Sequence, residues 1–253
     1  MRRTPNPWRL VAVAVVLLAI VAGAIAYALV AFDLPNFGLP ESASEEGDSI
    51  AELWRGFFLA AAAVGALVWG LLVYCLLRFR RRKGDDSIPR QTRYNVPFEI
   101  LYTAAPIVTV AVLFGFSVAA EERVTSTDDT ADVNVEVIGF QWSWQFNYPD
   151  DGIRITGEPT APPELVLPVD QVVHLRLVAN DVNHSFWVPD FLSKRDLIPG
   201  VDNEIQITPT RTGTFEGRCA EFCGLDHWRM AFTVRVVDAD TYEDWVRDQV
   251  PTG

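Results

Sequence analysis

The stretch Cys219-Ala-Glu-Phe-Cys223-Gly-Leu-Asp-His227-Trp-Arg-Met230 decides how the rest of the chain is interpreted. It places two thiols, an imidazole and a thioether at spacings of four, four and three residues, and all of them are soft or borderline metal ligands. The same spacings also suit one face of a helix, but Gly224 and the alternating segments on either side favour a loop between strands. A disulfide between Cys219 and Cys223 is the other alternative, because an oxidising compartment would permit it. We predict a metal site within a β domain.

A further ligand must come from elsewhere, and the chain has only three histidines. His174 alternates with apolar neighbours on a predicted strand and is expected to face solvent. His184 stands where the loop Asp181-Val-Asn-His184 enters an apolar strand, although a lone histidine in such a place is more often structural than a ligand.

The donor types narrow the choice of metal. Zinc bound by two cysteines and two histidines would leave Met230 without a role. A single blue copper would leave one cysteine over. Two copper ions bridged by both thiolates use the whole set, with the thioether as a weak ligand on one ion and a backbone carbonyl on the other. Shared thiolates spread a transferred electron over both ions, so the pattern favours one-electron relay.

Residues 121–253 form a strongly acidic domain, with 24 acidic and 10 basic residues and a net charge of −14. The net charge of −12 over the whole chain argues against a nucleic-acid partner, and the charge of this domain favours a cationic one. Short alternating segments bounded by turn residues predict a β-sandwich or barrel, closed by a helix over residues 240–250. The predicted strands are residues 133–137, 141–148, 164–167, 172–178, 185–188, 204–208, 214–218 and 232–237. In the second of them, Trp142, Trp144, Phe146 and Tyr148 are expected to share one face, with Trp144 and Phe146 in the core.

Three apolar segments without charge, residues 10–32, 56–77 and 100–120, precede this domain. Each is long enough to cross a bilayer, which takes about 20 apolar residues. The arginine-rich stretch 78–93 is predicted to be cytoplasmic and the acidic stretch 33–55 external. We expect a multi-pass protein of a bacterial-type plasma membrane with its C-terminal domain on the outer face.

The sequence therefore divides into four predicted regions. Residues 1–32 are a signal peptide or an additional transmembrane helix, because a basic start, an apolar core and Ala24-Ile25-Ala26 suit either assignment. Residues 33–55 form the acidic external loop, residues 56–120 a transmembrane helical hairpin with the arginine-rich cytoplasmic loop, and residues 121–253 the external metal-binding domain.

Together these motifs resemble the cytochrome c oxidase subunit 2 family, the heme-copper oxidase component that carries the binuclear CuA centre. The resemblance is carried by the Cys-x3-Cys-x3-His-x2-Met run, the Asp-x2-His-Ser-Phe run and residues 194–200, and it covers nearly all of residues 56–237. It implies a membrane-anchored all-β protein, in which a two-helix hairpin is followed by a cupredoxin-like Greek-key β-sandwich. The aromatic run of residues 139–148 also carries the resemblance, but it lacks the tyrosine that the family commonly has between the tryptophans matched by Trp142 and Trp144. No Cys-x2-Cys-His motif occurs, so the electron donor is expected to be a separate protein or domain.

The function implied by the resemblance is electron transfer within cytochrome c oxidase. Such a subunit accepts electrons from cytochrome c or another basic heme-c donor and passes them to heme-copper catalytic subunit 1. That subunit reduces oxygen to water with proton translocation, so the enzyme is a translocase whose oxygen chemistry lies in the partner. Further oxidase subunits and the lipid bilayer are the other implied partners.

The resemblance also implies roles for individual residues. Trp142 is the exposed point at which electrons arrive, and Glu99 admits protons from the cytoplasmic side. The Glu221 side chain binds magnesium at the boundary with the catalytic subunit. The two copper ions are held by the carbonyl of Glu221 and by the side chains of His184, Cys219, Cys223, His227 and Met230.

Three other functions share parts of this pattern. The CuA domain of a nitrous-oxide or nitric-oxide reductase is the nearest, and the nitrous-oxide enzyme is disfavoured because its second copper cluster needs many more histidines. A membrane-tethered copper carrier or sensor would leave Trp142, Glu99 and the acidic surface unexplained. A quinol-oxidase relative without copper is excluded because every ligand is present.

Overall fold

The computed structural model describes residues 36–80, 84, 87–88, 91, 93–127 and 130–249. Two long helices come first, α1 at Glu45–Arg78 and α2 at Val96–Thr125. By length and composition both are able to cross a membrane, with mean hydropathy values of 2.2 and 2.0 over their most apolar stretches. The first predicted apolar segment, with its choice between signal peptide and extra helix, lies outside the described residues.

Helix α1 begins earlier than the apolar pattern predicted. The hydroxyl of Ser44 accepts a hydrogen bond from the Gly47 N–H at 3.0 Å and so caps the helix. Glu45, Glu46 and Asp48 add negative charge to the first turn, where the helix dipole favours it. The end of the segment predicted as an acidic external loop, residues 45–55, is therefore helical.

The residues around this cap belong to the β domain. Residues 39–53 fall in the same compact unit as the sandwich, and Ala43 and Ser44 are fully buried. The Ala43 N–H donates to the carbonyl of Asp190 at 2.7 Å, and the Thr210 N–H donates to the carbonyl of Ala43 at 3.0 Å. The segment before α1 thus packs as an added edge of the domain.

Ten strands form two five-stranded sheets. They are β1 Val133–Phe140, β2 Ser143–Tyr148, β3 Ile153–Thr156, β4 Glu164–Pro168, β5 Val173–Ala179, β6 His184–Val188, β7 Ser193–Leu197, β8 Asn203–Ile207, β9 Gly213–Cys219 and β10 Ala231–Val237. One sheet has the order β3-β2-β1-β5-β8 and the other β4-β10-β9-β6-β7. The β1/β5 and β4/β10 pairs are parallel and the others antiparallel. Two apolar helices followed by this sandwich confirm the predicted cupredoxin-like fold class.

Each predicted strand overlaps an observed one, but β3 and β7 were missed. Both lie at a sheet edge, and β7 reads Ser-Lys-Arg-Asp-Leu, which lacks an apolar alternation. Strand β2 begins at Ser143, so Trp142 lies in the preceding turn and not on the face shared by Trp144, Phe146 and Tyr148. Those three aromatic residues are buried, as the core prediction required for the first two.

An aromatic cluster fills the core beneath the predicted ligands. The rings of Phe186 and Phe232 stack with centroids 4.9 Å apart, and Trp144 meets them edge-on at 6.2 and 5.2 Å. Gly217 on β9 leaves room for this cluster, because a Cβ there would lie 2.1 Å from the ring of Phe232. A third helix, α3 at Ala239–Gln249, closes the domain and confirms the predicted C-terminal helix.

Candidate metal centre

The ligand run leaves the sandwich as a loop between β9 and β10. Cys219 is the last residue of β9, a 3₁₀ turn spans His227–Arg229, and Met230 precedes β10. The Cys219 N–H donates to the Met230 carbonyl at 3.0 Å and closes the loop at its base. Gly224 has a φ of +121°, which residues with a Cβ rarely adopt. The alternative of one continuous helix over this run is therefore wrong.

Sheet pairing brings the upstream histidine to the first thiol. Strand β6 begins at His184 and pairs with β9 so that Phe186 lies opposite Cys219. His184 is fully buried, and its Nδ1 lies 3.8 Å from the Cys219 Sγ. Its Nε2 lies 2.8 Å from the carboxylate of Asp181. When Nε2–H donates to that carboxylate, the lone pair on Nδ1 is available to a metal.

The second thiol has matching surroundings. The Cys223 Sγ lies 3.6 Å from the Nδ1 of His227 and 3.6 Å from the Sδ of Met230. The carbonyl oxygen of Glu221 lies 3.2 Å from the Cys219 Sγ. The two sulfur atoms are 3.9 Å apart and both cysteines are free, so the disulfide alternative does not apply. Each thiol therefore has one imidazole and one weak donor beside it.

This donor set is compatible with copper. The ligand atoms of His184, Cys219 and Cys223 all lie within 4.8 Å of one another, and all three residues are buried. Thiolate and thioether sulfur favour copper over hard cations. A zinc tetrahedron would use two thiols and two imidazoles and would give no reason for a thioether 3.6 Å from the Cys223 sulfur.

The surroundings of the two thiols shift their pKa values in opposite directions. Burial alone would raise the pKa of Cys219, but the hydrogen bond with His184 and others around it lower that pKa to about 7. Burial and the adjacent Cys219 charge raise the pKa of Cys223. Burial opposes charge on His184, yet its bonds to Cys219 and Asp181 raise the His184 pKa. The lowered pKa increases the thiolate fraction of Cys219 near neutral pH, and thiolate is the form that binds metals.

The turn between β1 and β2 contacts both halves of the site. The backbone N–H of Gln141 donates to the Asp181 carboxylate at 2.7 Å, and its side-chain amide donates to the Cys223 carbonyl at 2.8 Å. The indole N–H of Trp142 donates to the same carbonyl at 3.2 Å. Neither Gln141 nor Asp181 is assigned a role by the sequence pattern. The one available signal was an aspartate three residues before a predicted ligand.

The structure places the remaining predicted residues as follows. Trp142 is half-buried, not fully exposed, and the Glu221 side chain is also half-buried. Glu99 lies in the first turn of α2, where its carboxylate accepts a hydrogen bond from the Asn95 N–H at 2.9 Å. That bond gives Glu99 a local helix-capping role that the sequence analysis did not predict. His174 lies on β5 and contacts the carboxylate of Glu204 at 3.0 Å on the outer face.

Comparison with known proteins gives a consistent result. A family model described as "Cytochrome C oxidase subunit II, transmembrane domain" matches residues 33–119, and one described as "Cytochrome C oxidase subunit II, periplasmic domain" matches residues 160–237. The "Probable cytochrome c oxidase subunit 2" of Streptomyces avermitilis is 40% identical over 248 residues, covering 83% of this chain and 78% of that protein. The "Cytochrome c oxidase subunit 2" of Mycobacterium tuberculosis is 29% identical, covering 83% of this chain and 74% of that protein. Among solved structures, the periplasmic domain of subunit II of cytochrome oxidase from Bradyrhizobium japonicum is 33% identical, with a TM-score of 0.45, and covers 49% of this chain and 96% of that one.

Proposed function

Because this chain belongs to the cytochrome c oxidase subunit II family, we propose that it relays electrons one at a time through a binuclear copper centre. The donor is cytochrome c or another basic heme-c protein, and the acceptor is the heme-copper catalytic subunit. There, oxygen is reduced to water with proton translocation. The observation that carries the proposal is the paired arrangement of the two thiols, each with its own imidazole within 3.8 Å and a weak donor.

We assign the copper ligands to residues of β6 and the β9–β10 loop. They are the side chains of His184, Cys219, Cys223, His227 and Met230 and the carbonyl of Glu221. When bound, such a copper pair supplies one-electron storage with little change in geometry. The chain itself holds the donors in place and keeps water away from His184 and Cys223, which are at most 2% exposed. Water exclusion strengthens each electrostatic contact within the site.

Trp142 is the residue at which we propose that electrons arrive. Its indole N–H is bonded to the Cys223 carbonyl at 3.2 Å, so an aromatic ring that is still partly open to solvent contacts the ligand loop directly. The surrounding domain, at a net −14 over residues 121–253, would attract a lysine-rich donor. Both features support docking of the donor near Trp142.

The ligand loop also offers an apolar surface for the catalytic subunit. Phe222, Leu225 and Trp228 are 77%, 82% and 79% exposed, and exposed apolar patches of this kind mark interaction sites. Glu221 belongs to the same loop, so its half-buried carboxylate would lie near a partner docked there. We propose that this carboxylate binds magnesium at the subunit boundary.

The proposed membrane arrangement follows the charge of the segments between the helices. Helices α1 and α2 form a hairpin within residues 56–120, and the arginine-rich stretch between them is cytoplasmic. Residues 33–55 and 121–253 are then external, in a multi-pass protein of a bacterial-type plasma membrane. The chain requires the lipid bilayer and the other oxidase subunits as its partners.

Glu99 is proposed to admit protons from the cytoplasmic side, and its cap contact allows a sharp test. Glu99→Gln keeps an oxygen that accepts from the Asn95 N–H, but it cannot bind and release a proton at neutral pH. We expect Glu99→Gln and Glu99→Ala to slow steady-state turnover of the assembled oxidase alike, with unchanged copper content and fast reduction of the copper centre by the donor. Slower turnover in Glu99→Ala alone would show that the residue acts only as a helix cap.

The copper centre is tested on the full chain in detergent, by copper analysis together with visible and electron paramagnetic resonance spectra. We expect two copper ions per chain and a mixed-valence signal shared by both. Cys219→Ser and Cys223→Ser should lose the two-copper stoichiometry, because a hydroxyl does not bridge as a thiolate does. Cys75→Ser is the matched control, since the third cysteine lies on α1. One zinc per chain under copper-replete conditions would contradict the proposal.

A further inference from the structure

The two halves of the metal site are held by different means. His184 and Cys219 lie at the ends of paired strands, so the sheet fixes their separation. Cys223 belongs to no helix or strand. Its side chain is 2% exposed, yet it lies in a loop whose position must be maintained by other contacts. A displaced Cys223 would separate its sulfur from that of Cys219.

Gln141 connects the two halves. Its backbone N–H bonds to Asp181, which holds the His184 ring at 2.8 Å. Its side-chain amide bonds to the carbonyl of Cys223 at 2.8 Å. One residue outside the ligand set therefore contacts both the aspartate that holds His184 and the backbone of Cys223.

The shape of the loop matches this turn. A Cβ on Gly224 would lie 3.0 Å from the Gln141 amide nitrogen and 3.1 Å from the indole nitrogen of Trp142. A Cβ on Gly139, two residues before Gln141, would lie 3.1 Å from the ring of His184. Glycine at both places lets the β1–β2 connection approach both halves of the site closely.

We propose that the Gln141–Trp142 turn and Asp181 form a hydrogen-bonded bracket that holds Cys223 in register with His184 and Cys219, and that Gln141 is a positioning residue of the metal centre. The bracket assembles the site before metal arrives. It rests on the proposed function only in treating the site as one for copper. The contacts themselves belong to the protein.

Gln141→Leu provides a selective test. It removes the hydrogen bond from the side-chain amide to the Cys223 carbonyl but keeps the backbone N–H that donates to Asp181. In the reduced, copper-free full chain in detergent, pulse labelling with iodoacetamide followed by peptide mass spectrometry reports each thiol separately. Loss of one partly exposed hydrogen bond should make Cys223 react about two- to fivefold faster through local opening of the loop. Cys219 should be unchanged, and Cys75 serves as an internal reference.

Gln145→Leu is the matched control. Gln145 lies on β2 of the same hairpin, and its side chain is also hydrogen-bonded, to Asn147 and Thr156 and not to the ligand loop. A second variant, Gln141→Glu, replaces the donor with a carboxylate that repels the Cys223 carbonyl and should label like Gln141→Leu. In the copper-loaded chain, both Gln141 variants should release copper to a chelator faster than Gln145→Leu and shift the reduction potential.

Equal labelling of Cys223 in Gln141→Leu and Gln145→Leu would overturn the bracket. Equal acceleration at Cys219 and Cys223 would also overturn it, because that result indicates general loosening without positioning. If the wild-type chain binds no copper pair, the proposed function fails while the labelling experiment still decides the bracket.

Discussion

Replacing Gly217 by alanine should destabilise the sandwich and disturb the metal site together. The new Cβ would lie 2.1 Å from the ring of Phe232, far inside the usual carbon contact distance of about 3.5–4.0 Å. That ring has no room to swing aside, because it is 1% exposed, stacked on Phe186 and held edge-on by Trp144. Overpacking a core costs about 1–3 kcal/mol, and so short a contact places this variant at the upper end.

The strain should reach the ligands through one hydrogen bond. The indole N–H of Trp144 donates to the carbonyl of Met230 at 3.4 Å, so a shift of the aromatic cluster moves the end of the ligand loop. At about 2–4 °C per kcal/mol for a domain of this size, a cost of about 3 kcal/mol lowers the melting temperature by about 6–12 °C. The assay is near-ultraviolet circular dichroism on the full chain in detergent, with the visible copper spectrum recorded in parallel.

Two variants make this test specific. Glu216→Ala alters the neighbouring residue on β9, whose exposed carboxylate contacts Arg218. The loss of such a surface pair costs only about 0–1 kcal/mol. Phe232→Leu combined with Gly217→Ala should be less destabilising than the sum of the two single changes by more than about 1 kcal/mol, because the smaller side chain makes room. The reasoning is refuted if Gly217→Ala melts within about 2 °C of Glu216→Ala, or if the two changes are additive.

Three further outcomes are expected. Met230→Leu should keep both copper ions but shift the reduction potential in a redox titration, since an axial thioether is a weak ligand; loss of copper would show that it is a strong one. Oxidation of a basic heme-c donor should slow as salt rises, because at about 0.15 M salt charges are screened beyond about 8 Å. Trp142→Ala should slow the oxidation further. If neither change altered the rate, the donor would dock elsewhere. In the reduced, copper-free chain, the alkylation rate of Cys219 should increase as pH rises through about 7, because its pKa is lowered. The alkylation rate of Cys223 should increase only at higher pH, because its pKa is raised. If both rates had the same midpoint pH, the assigned hydrogen bonds would be contradicted.

Periodicity predicted the strands whose side chains alternate between core and solvent. Strand β1 has buried and half-exposed residues in strict alternation, and such a pattern is visible in sequence. Strand β7 escaped prediction because it pairs only with β6 at a sheet edge and carries charge at its centre. The same reasoning failed for Trp142, because the aromatic alternation continues through the turn while the backbone ladder begins only at Ser143.

The donor types of the candidate site could be predicted from the sequence, but the long-range backbone contacts of the domain that carries them could not. Thiol, imidazole and thioether spacings are local and appear directly in the sequence. The contacts of Ala43 with Asp190 and Thr210 join parts of the chain more than 140 residues apart. Such backbone hydrogen bonds require no particular side chain, so no residue pattern marks them. The stretch predicted as an external loop therefore contains an edge of the sandwich that no residue pattern indicated, followed by the start of α1.

The two thiols therefore differ in how firmly the fold holds them. Cys219 shares its strand's pairing with β6 and its N–H bond to the Met230 carbonyl, so moving it would break part of the sheet. Moving Cys223 breaks no strand pairing, although it breaks the hydrogen bonds that its carbonyl accepts from Gln141 and Trp142 and separates its sulfur from His227 and Met230. Local opening takes place where few contacts must be broken, so Cys223 is the cysteine that can move while the sheets stay paired. The thiol with the lowered pKa is the fixed one. The hydrogen bonds from Gln141 and Trp142 therefore matter most at Cys223, where strand pairing gives no support.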